Sequence, residues 1–298
     1  MEKITTYDRN PCIGGYVVAQ KKDPKLFKEV IGSCSAAFST NTEDNHDKEY
    51  PYLVSLYDSD DSAIILSGYR VMACRNAKIT KGRYNLYTAQ FFNYTEAFEE
   101  ILPNSAEFGR SFSSPDAASL PRAVQIHAFR SIWTTALAPF ITECEKLGIH
   151  YLFGQVSIPV KDYTPDAIKK MIAFFIVNFG SKKFFEPKKP LLLGEQECSI
   201  DEINHTAEAC GYTGVPEKDL EVLKNNLNGK GMPMLLTKYP ELVGWNTEAI
   251  VCNMATNSHV NTIDLPFCLN SKLFTAKAKE SYFSIKEYNS NAFEKILY

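Results

Sequence analysis

The sequence predicts a mixed α/β fold: a twisted mixed sheet flanked by helices, with a C-terminal part that packs on or extends the same sheet. Three observations lead there. Runs rich in Ile, Leu, Val, Tyr and Phe cover Ala63 to Cys74, Arg83 to Phe92 and Ala106 to Phe112, and read as strands. Apolar residues then recur at three- and four-residue spacing from about Pro121 to Leu147 (Val124, Ala128, Ile132, Ala136), as an amphipathic helix requires, with Pro139 placed to kink it. The almost wholly apolar stretch Ile149 to Pro159 reads as a strand buried on both faces, and Thr164-Pro165-Asp166 caps a further helix, Ala167 to Phe179.

Turn chemistry sets the borders of these elements. Pro103-Asn104-Ser105 and Ser113-Ser114-Pro115-Asp116 bracket the third strand, and Gly148 and Gly180 stand where the two helices end. The acidic and polar stretch Thr40 to Glu49 is expected to be a solvated surface loop. Met234 to Tyr239, Ala249 to Met254 and Thr262 to Leu269 are expected to add short strands, and the polar tail from Ala276 onward to be loosely held. The organisation that follows is an N-terminal segment (1–60), a core (61–190) and a C-terminal part of the same unit (191–298).

Composition narrows the class of partner. With 298 residues, 45% hydrophobic and 22% charged, the chain can bury a substantial core, which excludes collagen, coiled coil and wholesale disorder. A net charge of -3 argues against nucleic acid. No apolar run approaches the roughly 20 residues of a membrane span. The first ten residues carry Glu2, Lys3, Asp8 and Arg9 without the apolar block of a secretory signal, so a cytoplasmic location is expected. The eight cysteines include no CxxC pair and read as thiols, and the five histidines show no HxxxH or Cys/His spacing, so neither a metal nor a resident cofactor is expected.

The residues richest in chemistry are Glu107-Phe108-Gly109-Arg110-Ser111-Phe112. Strand alternation puts Glu107, Gly109 and Ser111 on one face and Arg110 on the other. A glycine inside a strand often marks a bulge, which would shift the register, turn both charges toward one opening and leave backbone N–H groups able to polarise a carbonyl. Two readings follow: an acid and a cation serving a reaction, or a structural ion pair on a strand.

Glu107-Phe-Gly-Arg-Ser-Phe, then Ser114-Pro115-Asp116, a helix with Trp133, and Tyr151-Leu-Phe-Gly154-Gln-Val-Ser157 together resemble a family pattern. That pattern runs E-L-G-R-S-x-V-x-P-(D/E)-Y, a helical Trp, and Y-L-F-G-x-V-S. It belongs to the GNAT-like ornithine-lipid and hemolysin-type N-acyltransferases, which make acyl-amino acids and are distantly related to acyl-homoserine-lactone synthases. Lys188-Lys-Pro190-Leu and Gly231-Met-Pro-Met-Leu-Leu-Thr-Lys-Tyr239 match further segments, so the resemblance spans roughly residues 60 to 285.

The resemblance implies transfer of a long fatty acyl group from acyl-carrier protein, or from coenzyme A, to the amine of an amino acid or related small molecule. The acyl thioester is then a co-substrate rather than a cofactor, and an aminolipid product makes peripheral contact with the inner membrane an option. Glu107 is expected to accept the ammonium proton, directly or through water, and Arg110 to grip the substrate carboxylate or order Glu107. Gly109, Ser111, Phe112, Trp133 and Ser157 are the expected substrate-binding residues, although serines on strands also satisfy local backbone.

The chain departs from the family after Asp116, where Ala117-Ala118-Ser119-Leu120 replace the usual Tyr and Arg or Gln. No glycine-rich phosphate loop precedes the helix, which favours a carrier protein over coenzyme A as donor. Residues 161–190 carry a net charge of +4 and residues 195–221 one of -7, so the basic stretch reads either as a steering surface for an acidic carrier or as a solvated face that balances its neighbour. Tyr84, Tyr87, Phe91, Phe92 and Tyr94 line an acyl tunnel or belong to the core. Two other functions stay open: a signal synthase that takes S-adenosylmethionine as its amine, and a non-catalytic acyl-binding protein.

Overall fold

Period-two runs of β-branched and aromatic residues become strands wherever a neighbouring strand can cover one face. A computed structural model of the chain describes residues 1–38, 45–59, 62–80, 83–180, 184–227, 230–234, 236–237, 250–251, 255–257, 262–276, 279–280 and 287–297. Its strands are β1 (Glu2–Tyr7), β2 (Asn10–Val18), β3 (Tyr52–Ser59), β4 (Ser62–Ala73), β5 (Ile79–Thr80), β6 (Arg83–Tyr84), β7 (Phe92–Tyr94), β8 (Ser105–Ser113), β9 (Tyr151–Pro159), β10 (Phe185–Pro187), β11 (Leu192–Leu193), β12 (Gln196–Glu197), β13 (Ile250–Val251), β14 (Ala255–Asn257) and β15 (Thr262–Asn270). Its main helices are α1 (Pro24–Ala37), α2 (Glu96–Ile101), α3 (Arg122–Ile132), α4 (Ala138–Lys146), α5 (Pro165–Phe179), α6 (Ile200–Cys210) and α7 (Pro216–Asn226). The fold class is mixed α/β, sheets flanked by helices, as the sequence predicts. Two units divide the chain: Met1–Tyr84, Asn104–His150 and Lys279–Tyr298 form the first, and Asn85–Pro103 and Tyr151–Ala278 the second.

In the first unit β1-β2-β3-β4-β8 form an antiparallel sheet. One face is covered by α1, whose Phe27, Val30, Ile31 and Cys34 recur at helical spacing and pack on Tyr16, Val18, Tyr52, Val54 and Phe112. The other face carries Tyr7, Ile13 and Leu66 against Val124 and Ala128 of α3. Three serines caught in this second layer are satisfied locally. The Ser55 and Ser131 hydroxyls lie 2.6 Å apart, and Ser67 donates to the Ala128 carbonyl at 3.0 Å.

The single helix expected from Pro121 to Leu147 is interrupted by a π-helical turn, Trp133–Leu137, and resumes as α4 with Pro139 in its first turn. The cause is local. Pro139 has no N–H for the carbonyl four residues earlier, that of Thr135, and its ring crowds that carbonyl. The same carbonyl presses on the sheet: a β-carbon built on Gly15 of β2 would lie 2.2 Å from it. Glycine at 15 is therefore demanded by helix–sheet approach.

Several expectations are corrected. The run Arg83 to Phe92 yields only β6, a 3-10 turn at Thr88–Gln90 and the start of β7: Tyr87 and Phe91 turn their half-buried rings to each other across that turn at 5.4 Å, and Phe92 is the one aromatic of the run that is buried. Phe92 and Tyr94 belong to a closed ring cluster with Phe98, Phe153, Phe184 and Phe185 in the second unit, with centroids 4.5 to 6.4 Å apart. Met234, Leu236 and Thr237 are helical instead of extended, since Pro233 opens a turn closed by the Leu236 N–H; residues 235 and 238–249 lie outside the described residues. Ile250–Val251 is extended as expected, whereas residues 252–254 lie outside them. The tail is not loose where it is described: Asn289 N–H donates to the Ile4 carbonyl at 2.9 Å, Tyr288 donates to Glu143 at 2.6 Å, and Phe293, Ile296 and Leu297 are buried.

In the second unit β9 pairs along its whole length with β15, which also pairs with β13 and β14, so the C-terminal part joins the sheet that contains β9. The acidic stretch 195–221 is helical as expected, with a Ser199–Glu202 capping box on α6. It is not wholly solvent-facing. Asp219 is fully buried and accepts from the Thr213 and Gly214 backbone and from Asn178. Lys169 pairs with Glu202 at 3.0 Å, which ties the basic stretch to the acidic one.

Gly15→Ala should destabilise the protein by about 3 kcal/mol, the upper part of the overpacking range, because backbone rather than a flexible side chain must give way. Urea unfolding checks this. The same substitution at Gly109, where no such contact exists among the described residues, should cost nothing comparable.

Candidate functional site

The site is built on β8. Its partner β4 pairs Gly68 with Phe112 and Arg70 with Gly109, so one residue, Tyr69, stands against two, Arg110 and Ser111. That count is a β-bulge, one step beyond Gly109. Arg110 takes the strain: with φ at 50° it is the positive-φ non-glycine residue of the described chain, a conformation costing about 1–3 kcal/mol for a side chain of this kind. Gly109 has no positive φ, and a β-carbon built there meets no heavy atom within 4 Å among the described residues. Neither strain nor packing explains this glycine.

The bulge turns Arg110 out of strict alternation and onto Asp47. Arg110 donates through Nη2 to Asp47 Oδ2 at 3.0 Å, and its guanidinium lies over the Phe38 ring at 5.1 Å. Arg70 donates through Nη1 to Asp47 Oδ1 at 2.6 Å, and the Tyr52 hydroxyl donates to the same oxygen at 2.8 Å. Arg70 also stacks over the Tyr50 ring at 5.0 Å, and the Tyr50 hydroxyl donates to Glu107 Oε2 at 2.5 Å. Glu107 and Arg110 thus belong to one connected cluster, Glu107–Tyr50–Arg70–Asp47–Arg110. Asp47 and Arg70 are each 1% exposed and Glu107 is 2% exposed, so the cluster works in a low-dielectric setting.

Burial pushes the Asp47 carboxyl up, but the Arg70 charge, the Arg110 hydrogen bond and charge and the Tyr52 hydroxyl outweigh it and hold it below the ordinary carboxylate range. Burial likewise works against the Arg110 charge, and Asp47 overrides it to raise Arg110. Burial raises the Cys34 thiol of α1, beside this group, to about 11, which leaves it neutral. The buried Nε of Arg110 has no hydrogen-bond partner among the described residues, so part of its donor fork is unspent.

The other sequence-predicted residues distribute as follows. Ser111 sits half-buried in the bulge, and Phe112 packs into the core beneath α1. The Phe112 ring crosses Gly68 so closely that a β-carbon there would lie 2.6 Å away. Trp133 is on the opposite face of the sheet from the charged cluster: its ring meets Tyr69, the neighbour of Arg70, at 5.8 Å, and Tyr69 meets Phe108 at 6.3 Å. Ser157 belongs to the second unit and donates to the buried Asp264 at 2.6 Å, which also accepts from Gln155 and Thr262. The expectation for Thr40 to Glu49 is corrected. Residues 39–44 lie outside the described residues, while Asn45–Lys48 is a 3-10 turn that carries Asp47 into the interior. Asp47, Tyr50, Tyr52 and Arg70 were not singled out from the sequence. Arg70 had a signal, an arginine inside an otherwise apolar strand run, which requires a buried partner.

Asp47→Asn should cost about 3–5 kcal/mol, since it leaves two buried guanidiniums short of a counter-charge. Because Asp47 is held below its unfolded value, its contribution is complete above about pH 4 and is lost as pH falls through the folded value. The gap in unfolding free energy between the parent and Asp47→Asn should therefore be full near pH 7 and narrow below about pH 4, as measured by urea unfolding at several pH values.

No family model matches the chain, and no curated protein matches it either. Among solved structures, a CoA-dependent acyl-homoserine lactone synthase, MesI, is similar at TM-score 0.37 and 10% identity, covering 92% of this chain and 96% of that one. A likeness at that score carries no argument about this chain's chemistry.

Proposed function

We propose that the protein is an N-acyltransferase that moves a long-chain acyl group from a thioester, on acyl-carrier protein or coenzyme A, to the amine of an amino acid or related small molecule. The observation that carries this reading is the bulge at Arg110. It draws the arginine of the Glu-Phe-Gly-Arg motif into the same buried cluster as its glutamate, with a strained backbone of the kind that clusters at active sites and ligand clamps.

The chemistry follows from the groups present. Glu107 takes a proton from the acceptor ammonium, and the resulting amine attacks the thioester carbonyl. The C–N bond forms, the C–S bond breaks, the departing thiolate takes up the second proton shed by the nitrogen, and Glu107 releases the first to water; no covalent enzyme intermediate is needed. Arg110 spends one donor on Asp47 and offers the rest of its fork to the acceptor's carboxylate, which would satisfy its buried Nε. Among the described residues nothing lies within 4 Å of a β-carbon built at Gly109, which leaves room for the reacting groups beside Glu107.

The test is thiol release together with acyl-amide mass, using long-chain acyl-carrier protein and acyl-CoA in parallel against a pool of amino acids. Glu107→Gln should lower the rate at least about 100-fold, and a rate within about threefold of the parent would contradict the assignment. Gly109→Ala should keep or slightly raise stability, since nothing among the described residues opposes the methyl group, yet lower the rate about tenfold or more. Unchanged turnover in Gly109→Ala would remove Gly109 from the site. The amide mass separates an acyl-amino acid from the product of a signal synthase.

A further inference from the structure

We propose that Tyr50 is a positioning residue for Glu107, one that fixes the carboxylate in place; this rests on the reading of Glu107 as the base. The Tyr50 hydroxyl donates to Glu107 Oε2 at 2.5 Å, and both residues are 2% exposed. A donor at that distance holds the plane of the carboxylate, which a base needs before an ammonium arrives.

Tyr50 is itself held from two sides. The Arg70 guanidinium lies over its ring at 5.0 Å, and the His46 ring meets it edge-on at 5.8 Å. Arg70 is in turn fixed by Asp47, which also holds Arg110. The charged and titratable groups gathered here come from the elements on this face of the first unit: His46, Asp47 and Tyr50 from the turn before β3, Tyr52 from β3, Arg70 from β4, Glu107 and Arg110 from β8, and Cys34 from α1. The hydroxyl therefore connects the motif glutamate to the Asp47 pair without a direct ion pair between Glu107 and Arg110 being required. In the reaction the acceptor's proton moves to Glu107 while Tyr50 keeps its own, so the phenol remains neutral and the amine nitrogen alone forms the new bond.

The experiment measures kcat/KM for thiol release against pH in the parent, Tyr50→Phe, Glu107→Gln and a protein with 3-fluorotyrosine at position 50, whose phenol is a stronger donor of nearly the same size. Tyr50→Phe should lower kcat/KM about 10- to 100-fold near neutrality, with KM for the amine little changed. The fluorinated residue, which keeps the hydroxyl donor, should stay within about threefold of the parent. A packing role would spare Tyr50→Phe, which keeps the ring, and a fall in the fluorinated protein as large as in Tyr50→Phe would assign the effect to the ring instead of the hydroxyl.

If Glu107→Gln abolishes turnover while both Tyr50 variants keep the parent's profile, the inference fails and the base assignment survives. If Glu107→Gln turns over like the parent, or the parent releases no thiol from either donor, the functional reading fails and the inference with it.

Discussion

One carboxylate with two guanidiniums decides how the first unit is built. Asp47 accepts from Arg70, Arg110 and Tyr52, three side chains on three different strands, at 2.6 to 3.0 Å and almost out of contact with water. An arginine buried in a sheet face without a counter-charge costs several kcal/mol, and Arg110 adds the cost of a left-handed backbone. Both are tolerable only because Asp47 is held in place by the turn Asn45–Lys48. The bulge, the aim of Arg110 and the placement of Tyr50 against Glu107 all follow from that anchoring.

The sheet divides its labour between its two faces. Phe108, Tyr69 and Trp133 build one side, where aromatic packing under α3 and the π turn contributes dispersion and burial. Glu107, Tyr50, Arg70 and Asp47 occupy the other, against which α1 sets Phe38 and a neutral Cys34. Alternation along β8 assigns its residues to these faces, and the single extra residue of the bulge exempts Arg110 from it.

Much of this is legible in the sequence because it is local. The strand around Glu107 to Phe112, the suspicion of a bulge beside Gly109 and the helix of Thr164 to Phe179 follow from alternation, glycine placement and capping. Trp133 was assigned to the substrate by motif alone, and the register places it across the sheet from Glu107. Asp47 and Tyr50 were invisible for a physical reason. Their charged hydrogen-bond partners lie 23 to 63 residues away along the chain, and an aspartate inside an acidic polar stretch has the composition of a surface loop. Only the topology that sets β4 between β3 and β8 brings them together.

The central claim is that Asp47 and Arg110 act as one unit in holding the bulged strand. A double-mutant cycle of Asp47→Asn and Arg110→Gln, read by urea unfolding at pH 7, tests it most directly. The expected result is a coupling of about 1–3 kcal/mol, as for buried groups that share a hydrogen-bonded ion pair. Additive effects, within about 0.5 kcal/mol, would show that the two residues are independent and that the bulge is held by something else.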